Sequence, residues 1–342
     1  MTTQQLILAA EGVAPVTYSG PPALIYAAYS ATPDVAWLTG SSYSKISDPA
    51  TMPVAGVAAV DRSSNGRWVA VSDNGTTPST VKIYDMQSGA PVYSRSVTPS
   101  ATGANIVCIR FSPDGTKMLV TDATVSPYIW VYDVSTWTTT TSPAPGQATR
   151  GARWSPDSAH IAILFITTPF LKIYDTATGS VSANQPATLP TSGDTRQLEY
   201  SPDGGHLAAM SNNSSDLLWV WRTDTWARIS SPATMPTAVP TFQHHTMVWS
   251  PDSTRLMVLT NTSPFIWSYT LSGHTLTYEA PPGTLPGAAV QAIVFAPNGA
   301  KVFASPAVSP WIIAYNIPGW TNATGPSGVG SATCVDLHCS IN

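Results

Sequence analysis

Charge is what this chain has least of. Only 10% of its 342 residues are Asp, Glu, Lys or Arg, against about 25% in an average soluble domain. Lys and Arg total 15 and Asp and Glu 19, a formal net charge of −4. So few cations in an acidic chain exclude a nucleic-acid binder led by phosphate contacts. Scarce helix-forming charge and 31 prolines exclude a long helical bundle, because interior Pro breaks helices. Cysteine is also rare. Cys108, Cys334 and Cys339 are too few for a disulfide framework. Cys334 and Cys339 are close enough in sequence to bridge, but read more simply as two ordinary thiols. No stretch approaches the roughly 20 apolar residues of a membrane span. Residues 1–11 lack the basic start and long apolar run of a secretion signal. No membrane insertion is therefore expected, and the sequons at Asn74, Asn213, Asn261 and Asn322 read as incidental. Disorder is excluded by a 43% hydrophobic content, which can supply a sizeable core.

What is abundant is repetition. The phrase Phe111-Ser112-Pro113-Asp114-Gly115 returns as Trp154 to Ser158, Tyr200 to Gly204 and Trp249 to Ser253, and in decayed form as Phe295 to Gly299. Weaker copies are Arg62 to Gly66 and Tyr18 to Pro22. The serine-phase positions are 19, 63, 112, 155, 201, 250 and 296, with spacings of 44, 49, 43, 46, 49 and 46 residues. Each copy has the same internal order. An apolar run such as Ile106 to Phe111 precedes a tight reversal, in which Pro presets φ, Asp bonds its own backbone and Gly tolerates positive φ. Gly115→Val is therefore expected to damage folding. A second short strand follows, then a loop ending in Ser/Thr-Pro-aromatic, then a third strand closing on an aromatic. The third-strand ends are Tyr84-Asp85, Tyr132-Asp133, Tyr174-Asp175, Trp221-Arg222, Tyr269-Thr270 and Tyr315-Asn316. A short fourth strand and a Pro-rich link complete the unit. The links read Asp48 to Pro53, Pro186 to Pro190 and Pro232 to Pro236.

Four short strands per repeat and no helical periodicity describe one blade of a propeller, whose sheet buries its faces only by stacking on neighbours. The expected fold is all-β: a seven-bladed β-propeller with four antiparallel strands per blade, spanning residues 13–327. Residues 1–12 and 328–342 are left as an N-terminal extension and a C-terminal tail. Leu6-Ile7-Leu8 or the segment Thr333 to Leu337 would supply a closing strand where the ends meet. The repeats resemble WD-repeat propellers, with the aromatic-Asp pair in the place of the Trp-Asp dipeptide, but the Gly-His dipeptide of that family does not recur from copy to copy. Their phrases are more similar to the WD-like propellers encoded by tailed bacteriophages: Phe111 to Gly115, Ser126 to Tyr132, Ser263 to Tyr269 and Asp48 to Pro53. That resemblance spans about residues 13 to 325 and implies a virion protein without catalytic residues.

No metal or nucleotide motif stands out, and no cofactor is expected. The adjacent His244 and His245 point to opposite faces of an extended strand and do not chelate together. Asp114, Asp157, Asp203 and Asp252 occupy identical turns that explain them. Two repeated positions offer interaction surfaces. The second strand opens with Arg67, Lys117, His160, His206, Arg255 or Lys301, either a set of hairpin ion pairs with the turn Asp or a positive ring for an acidic partner. The Ser/Thr-Pro-aromatic loops place Tyr128, Phe170, Phe265 and Trp311 on the opposite face, either wedged between blades or offered as stacking surfaces. Three functions remain: a non-enzymatic virion structural or adhesion protein, a general peptide-binding scaffold, and a propeller hydrolase or lyase. The first is expected, with other virion proteins and a host-surface glycan or protein as partners, assembled into particles in the host cytoplasm, and with no nucleic acid bound.

Overall fold

A computed structural model describes residues 23–28, 35–39, 46–100, 105–190, 195–211, 216–237, 246–280, 286–296, 298–308, 312–317, 319–323 and 334–339. Among these residues every regular element is a strand. In chain order β1 (Ala23–Ala28) and β2 (Val35–Thr39) come first. The next three groups are β3 (Val60–Arg62), β4 (Trp68–Asp73), β5 (Thr80–Asp85) and β6 (Val92–Val97); β7 (Ile106–Phe111), β8 (Lys117–Asp122) and β9 (Ile129–Asp133); and β10 (Thr149–Trp154), β11 (His160–Phe165) and β12 (Leu171–Asp175). Then come β13 (Thr195–Tyr200), β14 (His206–Ser211) and β15 (Leu218–Arg222), followed by β16 (Met247–Trp249), β17 (Arg255–Leu259), β18 (Ile266–Ser272) and β19 (Thr275–Glu279). The last are β20 (Val290–Phe295), β21 (Lys301–Pro306), β22 (Ile313–Asn316) and β23 (Thr321–Ala323), and finally β24 (Cys334–Cys339). Each group is one antiparallel sheet in sequence order, and β24 joins β1 and β2 in the order β2-β1-β24. The first strands contact one another in the order β3, β7, β10, β13, β16, β20, β24, and β24 contacts β3 again. The sheets therefore stand around a common axis with these strands innermost.

No sheet has a core of its own. Strands such as β4 and β8 are buried on both faces and so read as continuous apolar runs. Met118 and Val120 pack with Ala70, Ile83 and Ile109 on one side, while the intervening Leu119 packs with Ala152, Trp154 and Ile163 of the next sheet. The same division recurs between later sheets. The hydrophobic stabilisation is thus stored at seams between sheets, and each sheet depends on both neighbours.

The repeated phrases have physical roles in this frame. In the first hairpin, Ser112 Oγ donates to Asp114 Oδ1 at 2.5 Å, Lys117 N donates to Ser112 Oγ at 2.9 Å, and Gly115 N donates to Ser112 O at 2.8 Å. Ser155, Ser201 and Ser250 repeat this with Asp157, Asp203 and Asp252. The residue after Asp has positive φ every time: +72° at Gly115, +60° at Ser158, +73° at Gly204 and +61° at Ser253. A Cβ at Gly115 would also meet Ser64 Oγ at 3.1 Å, so Gly115→Val combines a disfavoured backbone with a tight contact. The Pro-rich links brace the seams. Trp221 Nε1 donates to Thr188 O at 2.8 Å and Tyr269 OH to Thr234 O at 3.2 Å, while Met52, Leu189 and Met235 pack against the neighbouring clusters.

The fourth strand departs from expectation. It is present in the sheets ending in β6, β19 and β23. In the three sheets from β7 to β15 it shrinks to single bridges, Tyr132 with Thr139, Tyr174 with Val181 and Trp221 with Arg228. Side chains replace the rest of the ladder. Gln185 Oε1 accepts from Ile173 N at 3.0 Å while its Nε2 donates to Ile173 O at 2.8 Å, and Ser142 Oγ accepts from Val131 N at 2.9 Å. Within the C-terminal tail, β24 is the strand that pairs with β1. The Leu6-Ile7-Leu8 alternative lies outside the described residues. Cys334 and Cys339 are the two end residues of β24, about 16 Å apart along an extended strand and beyond the reach of a disulfide.

Candidate functional site

Three of the strand-opening residues, Arg67, His206 and Arg255, have partners other than the turn Asp. Arg67 pairs with Asp85 at 3.0 Å and lies 4.4 Å over the Trp68 ring, and Arg255 pairs with Glu279 at 3.1 Å. Lys117, His160 and Lys301 are half-buried and sit in register with Asp133, Asp175 and Asn316. His206 is buried, with Nε2 3.1 Å from His274 Nδ1. Burial foremost, then the His274 and Arg222 charges, lowers the His206 pKa below 6.5 against the opposing pull of Asp203 and Asp224. Arg67 and Arg255 therefore reach the closing ends of a third and a fourth strand, while the turn carboxylates bond within their own hairpins.

In the Ser/Thr-Pro-aromatic loops, Ser126-Pro127, Thr168-Pro169 and Ser263-Pro264 are cis, and Tyr128, Phe170 and Phe265 follow at φ of +69°, +56° and +61°. Each aromatic N–H donates to the carbonyl three residues before it. Phe170 is buried. Tyr128 packs against the seam holding Leu119 and Ala152, and Phe265 against the seam holding Met257 and Val290. The Tyr128 and Phe265 rings thus lie against the stack between sheets. Trp311, His244 and His245 lie outside the described residues.

Sequence reasoning missed a constellation at the axis. The residue two before each serine-phase position is Asp61, Arg110, Arg153 or Glu199 in four consecutive innermost strands, then Val248 and Val294. Arg153 Nε donates to Glu199 Oε2 at 2.8 Å across the β10–β13 seam, and its Nη1 lies 3.6 Å from Cys108 Sγ on β7. Asp61 Oδ2 accepts from Phe111 N at 2.6 Å across the β3–β7 seam. Trp154 Nε1 donates to Arg110 O at 3.0 Å, and Trp249 Nε1 to Glu199 O at 3.2 Å. Polar groups of neighbouring innermost strands are therefore bonded pairwise across successive seams. The signal available beforehand was positional: a charge in one fixed slot of the strand, four times in succession. Among the described residues no group of three or more His, Cys, Asp or Glu has metal-binding geometry.

No family model and no curated protein matches the sequence. Solved structures do match in fold. The β-propeller domain of Cps50 (Swd1) from Myceliophteria thermophila aligns with 84% of this chain and 89% of its own, at 14% identity and a TM-score of 0.65. A candidate 6-phosphogluconolactonase from Bacteroides uniformis aligns with 94% of this chain and all of its own length, at 12% identity and a TM-score of 0.71. A second, from Bacteroides fragilis, aligns with 96% and 100%, at 13% identity and a TM-score of 0.71. The class shown is an all-β, propeller-type fold. The expectation of a chain without enzymatic activity is corrected by the same finding. Its fold is shared with proteins named as hydrolases, so the architecture gives no ground for excluding catalysis.

Proposed function

We propose that the chain closes as a seven-bladed propeller and serves as a docking module for other proteins, in the setting its repeat phrases imply: the particle of a tailed phage. One observation carries this reading. Four cations outside the axis are held by carboxylates of their own sheet, Arg67 by Asp85, Arg222 by Asp224, Arg228 by Asp216 and Arg255 by Glu279. The surface also exposes aliphatics such as Val54, Val92, Val181 and Val308. Such a surface suits protein contact by shape and apolar area rather than electrostatic capture. The test is composition. Mass spectrometry of purified particles from the system encoding this chain should find it at fixed stoichiometry, and its absence from them would end the virion reading.

A second reading is a hydrolase working at the axial rim. It is favoured by the Arg153–Glu199 pair between innermost strands and by the fold shared with the two lactonase candidates. Purified protein assayed on a panel of sugar lactones decides it. Turnover abolished by Glu199→Gln supports this reading, and no turnover on any of them removes it.

A further inference from the structure

The tip of the β18–β19 hairpin crosses a seam to reach another sheet. Ser272 pairs with Thr275, so Gly273 and His274 form a two-residue turn, with Gly273 at φ +58°. His274 is exposed, and its ring meets His206, which is only 5% exposed at the start of β14. The two residues are 68 apart in sequence, yet His274 Nδ1 lies 3.1 Å from His206 Nε2, with ring centroids 5.3 Å apart. A nitrogen-to-nitrogen contact of that length is a single hydrogen bond, in which one ring donates and the other accepts.

Protons decide whether that bond exists. Two neutral rings can face each other with one N–H and one lone pair. One added proton, shared by the pair, still leaves a donor facing an acceptor. A second proton makes both facing nitrogens donors and both rings cations, and the attraction becomes a repulsion. The surroundings do little to offset it. Asp203, in the turn before β14, accepts from Ser201 Oγ at 2.6 Å and Gly205 N at 2.9 Å. Asp224, in the turn after β15, is paired with Arg222, the residue opposite His206 in the ladder. Trp249 on β16 offers an uncharged ring at 6.1 Å, and His206 Nδ1 is buried without a hydrogen-bond partner. Burial is the main reason that the His206 pKa lies below 6.5.

We propose that this imidazole pair is an acid-released latch, which ties the β18–β19 hairpin to the sheet of β13–β15 at neutral pH and lets go when the pair takes up its second proton. Release frees the tip of the two outer strands and uncovers the His206 ring, while the innermost strands keep their contacts. The latch is a property of the fold and holds whether the molecule docks or catalyses.

Hydrogen–deuterium exchange of the full chain at pH 7.5 and 5.5, corrected for the intrinsic rate at each pH, tests it. Protection of the β18–β19 hairpin should fall about tenfold at the lower pH, the scale of one lost hydrogen bond, while the β5–β6 hairpin should not change. His274→Gln should hold the hairpin closed at both pH values, because an amide offers a donor and an acceptor to either form of His206. That result is a gain of protection at pH 5.5, which misfolding cannot produce. His160→Gln, at the strand-opening position one sheet earlier, should open as the unaltered chain does. No loss of protection at pH 5.5, equal loss in the β5–β6 hairpin, or a His274→Gln hairpin that still opens would overturn the proposal. Failure of the particle or lactone experiments leaves this result untouched.

Discussion

Ser158 and Ser253 occupy a left-handed backbone slot that glycine fills at 115 and 204. A non-glycine residue there costs about 1–2 kcal/mol, and each serine has a compensating bond. Ser158 Oγ accepts from Asp114 N at 3.1 Å, and Ser253 Oγ accepts from Asp203 N at 2.9 Å, each reaching the turn of the preceding sheet. Ser253→Ala keeps the backbone cost and loses the bond, so a loss of about 1–3 kcal/mol is expected in urea unfolding. Ser253→Gly, which relieves the backbone, should lose clearly less. His206 gives a second prediction. Its lowered pKa means that the unfolded chain binds more protons, so its contribution to stability is complete above about pH 6.5 and declines as pH falls below it. The melting temperature should drop between pH 7.5 and 5.5, and His206→Gln should flatten that slope. The turns were legible because Pro, Asp and Gly act locally. The serine bonds between sheets were not, since their partners lie 44 and 50 residues away.

At the scale of the element, strand count is what sequence pattern misread. The fourth-strand segments after β9, β12 and β15 look like strands because they follow the same turn grammar, yet each holds one bridge. An amide side chain satisfies a strand edge as well as backbone does, and pattern reading does not see it. Gln185 occupies both the N–H and C=O of Ile173, which leaves that edge closed to another chain. Gln185→Ala should destabilise by about 1–3 kcal/mol and raise the hydrogen-exchange rate of the Ile173 amide. Unchanged exchange would mean that the amide is protected by something other than Gln185. The first three strands of each copy were legible because alternate residues feed different seams, as Leu119 and its neighbours Met118 and Val120 do.

At the scale of the molecule, the repeat spacing made the architecture legible from copy number alone, whereas the axial constellation was hidden. Asp61, Arg110, Arg153 and Glu199 sit 43 to 49 residues apart in sequence, and only the stacking of neighbouring sheets gives Asp61 its bond to Phe111 N and Arg153 its bond to Glu199. Closure itself rests on β24, which contacts both β20 and β3. Removing residues 334–339 should cost more than about 5 kcal/mol, the range of the severest single lesions, because two seams lose their innermost wall. Scanning calorimetry should show a large fall in melting temperature, and a transition within 2 °C of the intact chain would refute that role. The register of that last pairing has a mechanical consequence. Leu24 lies opposite Cys339 and Ala28 opposite Cys334, so the start of β1 and the end of β24 are side by side. A pull applied between those two points loads the ladder one residue pair at a time, as a zip opens, rather than shearing all its bonds together. The shared seams tie each sheet to both neighbours, yet tension between those two points meets only the outermost pair of hydrogen bonds at each moment.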